Sequence, residues 1–386
     1  MVELLNEAFH LNMRPRFIFH IGPIKTGSTS IQNFLEKEDK INPSIEYKRI
    51  NPDHFFDLTN KNNSEKAKQY FKHLFKTKTQ HKGEKSCIFS HECMYQRPEN
   101  ISRLTELARD ISDDVSVIGY VRQQSRHYRS HYSQFLYFSQ EVQAKVSETF
   151  KQNHLNQDLF TGLEAFLAAL CLSDFAIVKH NHRDEYQNWR RMIQISDKLI
   201  SSKTKLLLGV VPRESYKFSL IEDFCQKARI NRTQQKDQET DIHTHKALPD
   251  AAVEILNLAA RSGLNFPSKK PEHLKCFEAF RSKQHHNSDL KIHDTKFIES
   301  LSNYIDSYYL NDNQEVCRKF NLPINYFQPS EKATKQDTTN LIIETNTLRS
   351  KNPTERIYLS KQLVKETVRY FLLSENAAEQ NTNPLL

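Results

Sequence analysis

A short run of glycine, lysine and hydroxyl residues near the start of the chain has the composition of an anion-binding loop. Residues 22–30 read Gly-Pro-Ile-Lys-Thr-Gly-Ser-Thr-Ser and follow an apolar run, residues 17–21. Glycine permits a tight turn, and the hydroxyl residues can begin a helix whose free backbone N–H groups attract an anion. Lys25 lies inside the turn, so its ammonium group can reach the same anion. The stretch therefore predicts a phosphate-type site.

The position of the lysine distinguishes this loop from two common phosphate-binding signatures. A Walker A loop has its lysine directly after the second glycine, whereas Lys25 comes two residues before Gly27. The Gly-x-Gly-x-x-Gly pattern of dinucleotide-binding folds is also absent from these residues. The loop is therefore predicted to bind its anion in a different way.

Polar residues also follow three other predicted strands. His91 and Glu92 come directly after residues 85–90, and Arg122 follows residues 115–121. Ligands of parallel sheets bind beyond the carboxyl ends of the strands, so these residues and the Lys25 loop are expected to converge. Asp53 and His54 lie in a predicted turn over residues 51–57 that follows a strand at 44–50, and they are further candidates.

The order of apolar runs predicts an α/β domain with a central, mostly parallel sheet. Strands are expected near residues 17–21, 44–50, 85–90, 115–121, 175–178 and 206–211, separated by segments of helical period, with one helix over 297–320. The domain is expected to span residues 15–325. A polar linker is predicted over 326–353, an amphipathic helix over 354–375 and a disordered tail over 376–386.

Composition limits the class of protein and of ligand. The 386 residues carry a formal net charge of +8, which suits an anionic ligand, and no recognised DNA- or RNA-binding motif is present. No apolar run is long enough to span a bilayer, and residues 1–14 lack the apolar core of a signal peptide. The six cysteines are scattered, as in a reduced cytoplasmic protein. We see no acidic cluster for a metal ion.

Two motifs together resemble the sulfotransferases that use 3′-phosphoadenosine 5′-phosphosulfate (PAPS), and in particular their bacterial branch. The loop resembles the family's 5′-phosphosulfate motif, carried here by Lys25, Thr26, Gly27, Ser28, Thr29 and Ser30. Arg122 at a strand end and Ser130 in the following helix resemble its 3′-phosphate motif. The resemblance implies a P-loop-like three-layer α/β/α fold with a C-terminal helical extension.

The resemblance also implies a reaction. Sulfotransferases move a sulfuryl group from PAPS to a hydroxyl or amine of an acceptor, here a small molecule or a glycan, release 3′,5′-ADP and require no metal. Lys25 would then stabilise the leaving phosphate. The family often places its base just beyond a strand, which favours Glu92 and leaves His91, Asp53 and His54 as alternatives.

Two other functions stay open from the sequence. One is a P-loop-type nucleotide-dependent kinase, which would require magnesium. The other is a non-catalytic nucleotide-binding protein that keeps the fold.

Overall fold

A five-stranded parallel sheet forms the centre of the protein. The computed structural model describes residues 16–23, 25–76, 85–134, 136–178, 188–212, 219–231, 233, 253, 254, 257, 258, 261 and 293–352. The strands are β1 (Arg16–Ile21), β2 (Ile45–Arg49), β3 (Ser86–Ser90), β4 (Val115–Val121) and β5 (Lys205–Val210). Their order in the sheet is β2-β3-β1-β4-β5, and every neighbouring pair is parallel. The prediction of an α/β fold is confirmed.

Helices follow the strands along the chain. In the part of the chain that the structure describes they are α1 (Ser28–Ile41), α2 (Pro52–Thr59), α3 (Ser64–Lys76), α4 (Cys93–Gln96), α5 (Pro98–Arg109), α6 (Gln124–Tyr132), α7 (Gln140–Gln152), α8 (Gly162–Leu172), α9 (Arg190–Lys198), α10 (Leu220–Ala228), α11 (Thr295–Tyr308), α12 (Leu310–Phe320) and α13 (Lys335–Lys351). None of these described helices combines the length and apolar character needed to cross a lipid bilayer.

The sheet is covered on both faces, which gives three layers. Because side chains alternate along a strand, Phe17 and Phe19 of β1 face one side while Ile18 faces the other. The first side packs against α2, α3, α5, α9 and α12, and the second packs against α1 and α10. Burial on both faces explains why these strands are nearly continuous apolar runs.

The described residues divide into two compact units. The first contains the sheet and takes residues up to Gln123, those between 185 and 245, and Leu310–Phe327. The second takes Gln124–Asp184, Lys246–Tyr309 and the residues after Phe327. In the second unit α8 is almost entirely buried and packs with α7, α11 and α13. The predicted domain over 15–325 therefore contains parts of both units.

A strand predicted at residues 175–178 is wrong, because this segment forms a short 3₁₀ helix, Ala176–Val178. Asp174 and Phe175 have φ values of 47° and 66°, which a strand cannot contain. Phe175 and Ile177 are nonetheless buried, in the core of the second unit. Their burial in this core explains why the segment is apolar.

Two other segments also differ from the sequence expectations. The predicted turn over residues 51–57 is helix α2, whose N-cap Asn51 accepts the backbone N–H of His54 at 2.7 Å and whose first residue is proline. The single helix predicted over 297–320 is two helices, α11 and α12, because α11 ends at Tyr308.

The segment predicted as a polar linker over 326–353 contains helix α13. Thr334 caps this helix by accepting the backbone N–H of Asp337, and Ile342 is fully buried in the second unit's core. The helix carries few apolar side chains, so its periodicity is weak, and polar contacts anchor it instead. The helix predicted over 354–375 and the tail over 376–386 lie outside the described residues.

An ion pair between Arg349 of α13 and Glu164 of α8 is expected to stabilise the second unit strongly. Glu164 is fully buried; its carboxylate accepts Arg349 Nη1 at 2.8 Å and the backbone N–H of Asp294 at 2.8 Å. Arg349→Ala leaves this buried charge without its guanidinium, so we expect a loss of about 3–5 kcal/mol in the free energy of unfolding. Denaturant titration measures this change in the free energy of unfolding. The exposed Lys351→Ala should stay within about 0.5 kcal/mol of wild type; equal effects would contradict the assignment.

Candidate anion-binding site

The loop between β1 and α1 is held in shape by its own residues. The hydroxyl of Thr26, which is fully buried, donates to the carbonyl of Pro23 at 2.7 Å. Lys25 and Gly27 both adopt left-handed backbone conformations, with φ values of 73° and 82°. A lysine in this conformation is strained by about 1–2 kcal/mol. The loop therefore keeps a lysine where glycine would be easier to accommodate.

Gly27 is the N-cap of α1, and its left-handed φ of 82° favours glycine there. A Cβ at this position would clash with the side chain of Leu220, the first residue of α10, in a backbone conformation that already favours glycine. Glycine also offers no capping acceptor, and no acidic residue stands in the first turn of α1. The first N–H groups of the helix are thus served by neither a capping side chain nor a first-turn carboxylate.

The ammonium group of Lys25 lies in a partly desolvated and positively charged environment. Burial, followed by the positive charge of Arg122, lowers the pKa of Lys25 to about 8, against a smaller opposing effect of Glu92. The Lys25 side chain is still mostly protonated at pH 7. A bound anion would relieve the repulsion from Arg122, so this arrangement favours anion binding.

Arg122 follows β4 directly and contacts the loop. Its Nη1 donates to the carbonyl of Lys25 at 3.3 Å, and its own carbonyl accepts the indole N–H of Trp189 at 2.8 Å. β1 and β4 are neighbours in the sheet. From β1 the chain continues to β2 in one direction along the strand order, and from β4 it continues to β5 in the opposite direction. Such a reversal opens a crevice at the strand ends, where α/β proteins bind ligands.

Glu92 is the third charged residue at this edge. It is the N-cap of α4, is half-buried, and makes no side-chain capping bond. Burial raises the pKa of Glu92, while the charges of Arg49 and Lys25 act to lower it. Lys25 therefore interacts electrostatically with both Arg122 and Glu92, so these three predicted residues are brought together.

The alternative bases lie in different surroundings. Burial and the charge of Arg49 lower the pKa of the half-buried His91, which keeps it neutral at pH 7. Asp53 is exposed in the first turn of α2, beyond edge strand β2, and the ring of His54 packs edge-on against Tyr70 at 4.9 Å. Among the described contacts, none joins Asp53 or His54 to Lys25.

The hydroxyl residues of the two motifs are placed as follows. Ser28, Thr29 and Ser30 form the first turn of α1; Ser28 is buried and the other two are partly exposed. Ser130 lies half-exposed on α6, in the second unit, whereas Arg122 belongs to the first. The pairing of Ser130 with Arg122 on one ligand stays a prediction.

A buried polar cluster behind the loop was missed by the sequence reasoning. His20 Nδ1 lies 2.8 Å from the hydroxyl oxygen of Ser90, which also accepts Gln32 Nε2 at 3.1 Å. Burial lowers the pKa of His20 to about 3, so the ring is neutral. Ser90 is thus held from two sides, two residues before Glu92. The sequence feature that could have predicted this cluster is His20, a polar residue within the apolar run 17–21.

The charges and hydrogen-bond donors of this loop suit a phosphate or sulfate group. The donors are the first N–H groups of α1, a helix without a side-chain cap. Lys25 and Arg122 add two cations beside it, and a planar guanidinium is well suited to a phosphate.

Comparison with known proteins adds no further guide to function. No protein-family model, no curated protein and no solved structure matches this chain.

Proposed function

We propose that this protein is a PAPS-dependent sulfotransferase that transfers a sulfuryl group to a hydroxyl or amine of an acceptor, for which we favour a glycan. The observation that carries the proposal is the position of Lys25. It lies in a strained loop at an uncapped helix N-terminus, and it interacts electrostatically with both Arg122 and Glu92. An anion-binding group and a candidate base therefore lie at one edge of the sheet.

In this proposal each charged residue has one chemical task. PAPS supplies an activated sulfuryl group whose transfer leaves negative charge on the departing phosphate. Lys25 and the first N–H groups of α1 stabilise that charge by position and electrostatics. Arg122 holds the loop through the carbonyl of Lys25 and is assigned to the 3′-phosphate, which a planar guanidinium suits. Glu92 accepts the proton of the acceptor. None of these tasks requires a metal ion.

A cytoplasmic location is part of the proposal. Cys87, Cys171, Cys225 and Cys317 are buried free thiols, as expected in a reducing compartment. The acceptor is proposed to be a small molecule or a glycan, and no nucleic-acid partner is proposed.

Transfer of radiolabelled sulfate tests the function directly. The protein is incubated with [35S]PAPS and separate pools of neutral oligosaccharides, lipids and small alcohols, and products are identified by mass spectrometry as a gain of one SO₃. We expect a labelled product in the oligosaccharide pool that forms equally well in excess EDTA. Magnesium-dependent phosphate transfer from ATP would instead identify a kinase. Binding of 3′,5′-ADP without turnover on any pool would identify a non-catalytic binding protein.

Arg122→Ala is expected to weaken binding of PAPS and 3′,5′-ADP far more than binding of 5′-AMP, because the arginine is assigned to the 3′-phosphate. One lost charge-assisted hydrogen bond corresponds to about 1.5–3 kcal/mol, or roughly a tenfold to 150-fold change in Kd. Isothermal titration calorimetry measures the Kd of all three ligands.

The exposed Arg126 of α6 provides the matched control, since Arg126→Ala removes an equal charge nearby in the sequence. It should leave every Kd unchanged. Equal losses for 3′,5′-ADP and 5′-AMP in Arg122→Ala would show that the arginine only shapes the loop.

A further inference from the structure

A cationic cavity lies at the amino ends of the strands, whereas the Lys25 loop lies at their carboxyl ends. It has a volume of about 620 Å³ and opens where β4 and β5 begin, beside the C-terminal ends of α5 and α10. Five basic and two acidic side chains line it, which gives a formal net charge of +3: Arg109, Lys203, Lys205, Lys227, Arg229, Asp113 and Asp114. The cavity belongs entirely to the first unit.

Two of the basic side chains form ion pairs with carboxylates. Arg229 Nη2 lies 2.6 Å from both oxygens of Asp114, and the Lys227 ammonium lies 2.5 Å from Asp223. Among the described residues, no ion pair involves the ammonium of Lys203 or that of Lys205, and both side chains are exposed. The excess charge is therefore concentrated at the start of β5.

Arg109 completes this part of the wall. Its Nη2 donates to the carbonyl of Lys203 at 2.5 Å and its Nη1 donates to the carbonyl of Asp113. Both partners are neutral carbonyls, so the guanidinium keeps its full positive charge. Its buried Nε has no hydrogen-bond partner within the described part of the chain.

The helix dipoles do not cancel this charge. The C-terminal ends of α5 and α10 each contribute roughly −0.5 elementary charge near the cavity. Subtracting both from the formal charge of the lining leaves about +2. Basic residues at these helix ends are thus more numerous than is needed to balance the dipoles.

Backbone conformation gives an independent reason to assign Lys203 a role. Its φ is 51°, in the left-handed region where glycine is favoured. Arg229 has a similar φ of 52°, but its side chain is used in the ion pair with Asp114. No comparable contact within the described residues explains the long side chain of Lys203.

We propose that this cavity binds a small polyanion that carries at least two phosphate or sulfate groups, through Arg109, Lys203 and Lys205. The six-residue strand β5 separates this edge of the sheet from the other by roughly 20 Å. The site is therefore distinct from the Lys25 loop, and its ligand need not take part in transfer.

Calorimetry of the full chain with inorganic pyrophosphate at low salt tests the proposal. The Lys25→Ala/Arg122→Ala protein serves as the background, because it removes both cations of the loop site and makes the result independent of the proposed function. We expect one site in that background, with a Kd that rises as salt is added. Adding Lys203→Gln and Lys205→Gln should weaken it at least tenfold. The matched control, Lys37→Gln with Lys40→Gln on exposed positions of α1, should leave it unchanged.

A second variant separates binding from folding. Lys203→Gly should weaken pyrophosphate binding while Tm stays the same or rises, because glycine relieves the left-handed backbone. A disulfated disaccharide titrated in parallel shows whether sulfate or phosphate groups are preferred. Absence of binding in the background protein, or equal weakening in the α1 control, would overturn the proposal.

Discussion

Replacing Lys25 with alanine is expected to reduce sulfuryl transfer from PAPS by a factor of about 10²–10³ or more while the protein stays folded. Removing one donor that stabilises developing negative charge has effects of this size. Lys25 contributes charge to the site, and its hydrogen bond from Arg122 is accepted by the backbone carbonyl, which alanine keeps. Single-turnover transfer of ³⁵S measures the loss. The exposed Lys37→Ala on α1 is the control and should keep wild-type rates.

Folding of the variant can be checked by a second substitution at the same position. Lys25→Gly removes the same ammonium but also relieves the left-handed backbone, whose φ is 73°. It is expected to be about 1 kcal/mol more stable than Lys25→Ala and equally inactive. Inactivity together with higher stability would show that the loop keeps its lysine for function. Wild-type turnover in either variant would exclude Lys25 from the reaction.

The pH dependence of ligand binding follows from the same residue. Since the pKa of Lys25 is about 8, its charge is present below pH 8 and is lost as the pH rises through that value. Affinity for 3′,5′-ADP should therefore fall above pH 8, by at most about tenfold per pH unit because one proton is involved. The same titration of Lys25→Ala should be flat over this range.

The sheet and its edge could be predicted because burial on both faces leaves a strong pattern in the sequence. The strands at 17–21, 85–90 and 115–121 are continuous apolar runs, and the order of the motifs then places Lys25, Glu92 and Arg122 at one edge. Arg122 donates to the carbonyl of Lys25, and the charges of Arg122 and Glu92 both act on the Lys25 ammonium; their common role in one site stays a prediction.

Features that depend on tertiary contacts could not be predicted in this way. Residues 175–178 are apolar because they fill the second unit's core, and two left-handed residues precede that segment. Helix α13 is polar, and its buried ion pair through Arg349 is not visible in a hydrophobic pattern. The division of the chain into two units, with Ser130 outside the unit of Arg122, also has no local signal.

Glu92→Gln is expected to keep affinity for 3′,5′-ADP and to lower kcat by a factor of about 10²–10⁴, the usual contribution of a general base. The nucleotide is assigned to Lys25, the first turn of α1 and Arg122, so its binding should not need the carboxylate. Removing the charge opposite Lys25 also removes the effect that raises the lysine's pKa. The decline of nucleotide affinity with pH should consequently begin at a lower pH in this variant.

The pH profile identifies the base among the candidates. Burial raises the pKa of Glu92, so wild-type kcat should rise with pH as this carboxyl ionises, and that acid limb should disappear in Glu92→Gln. Glu99→Gln, on an exposed position in the first turn of α5, is the matched control and should retain both the rate and the profile. Full kcat in Glu92→Gln on the true acceptor would transfer the role to His91, Asp53 or His54. Of these, His91 would be tested first, because it also follows β3 and its lowered pKa keeps the ring neutral.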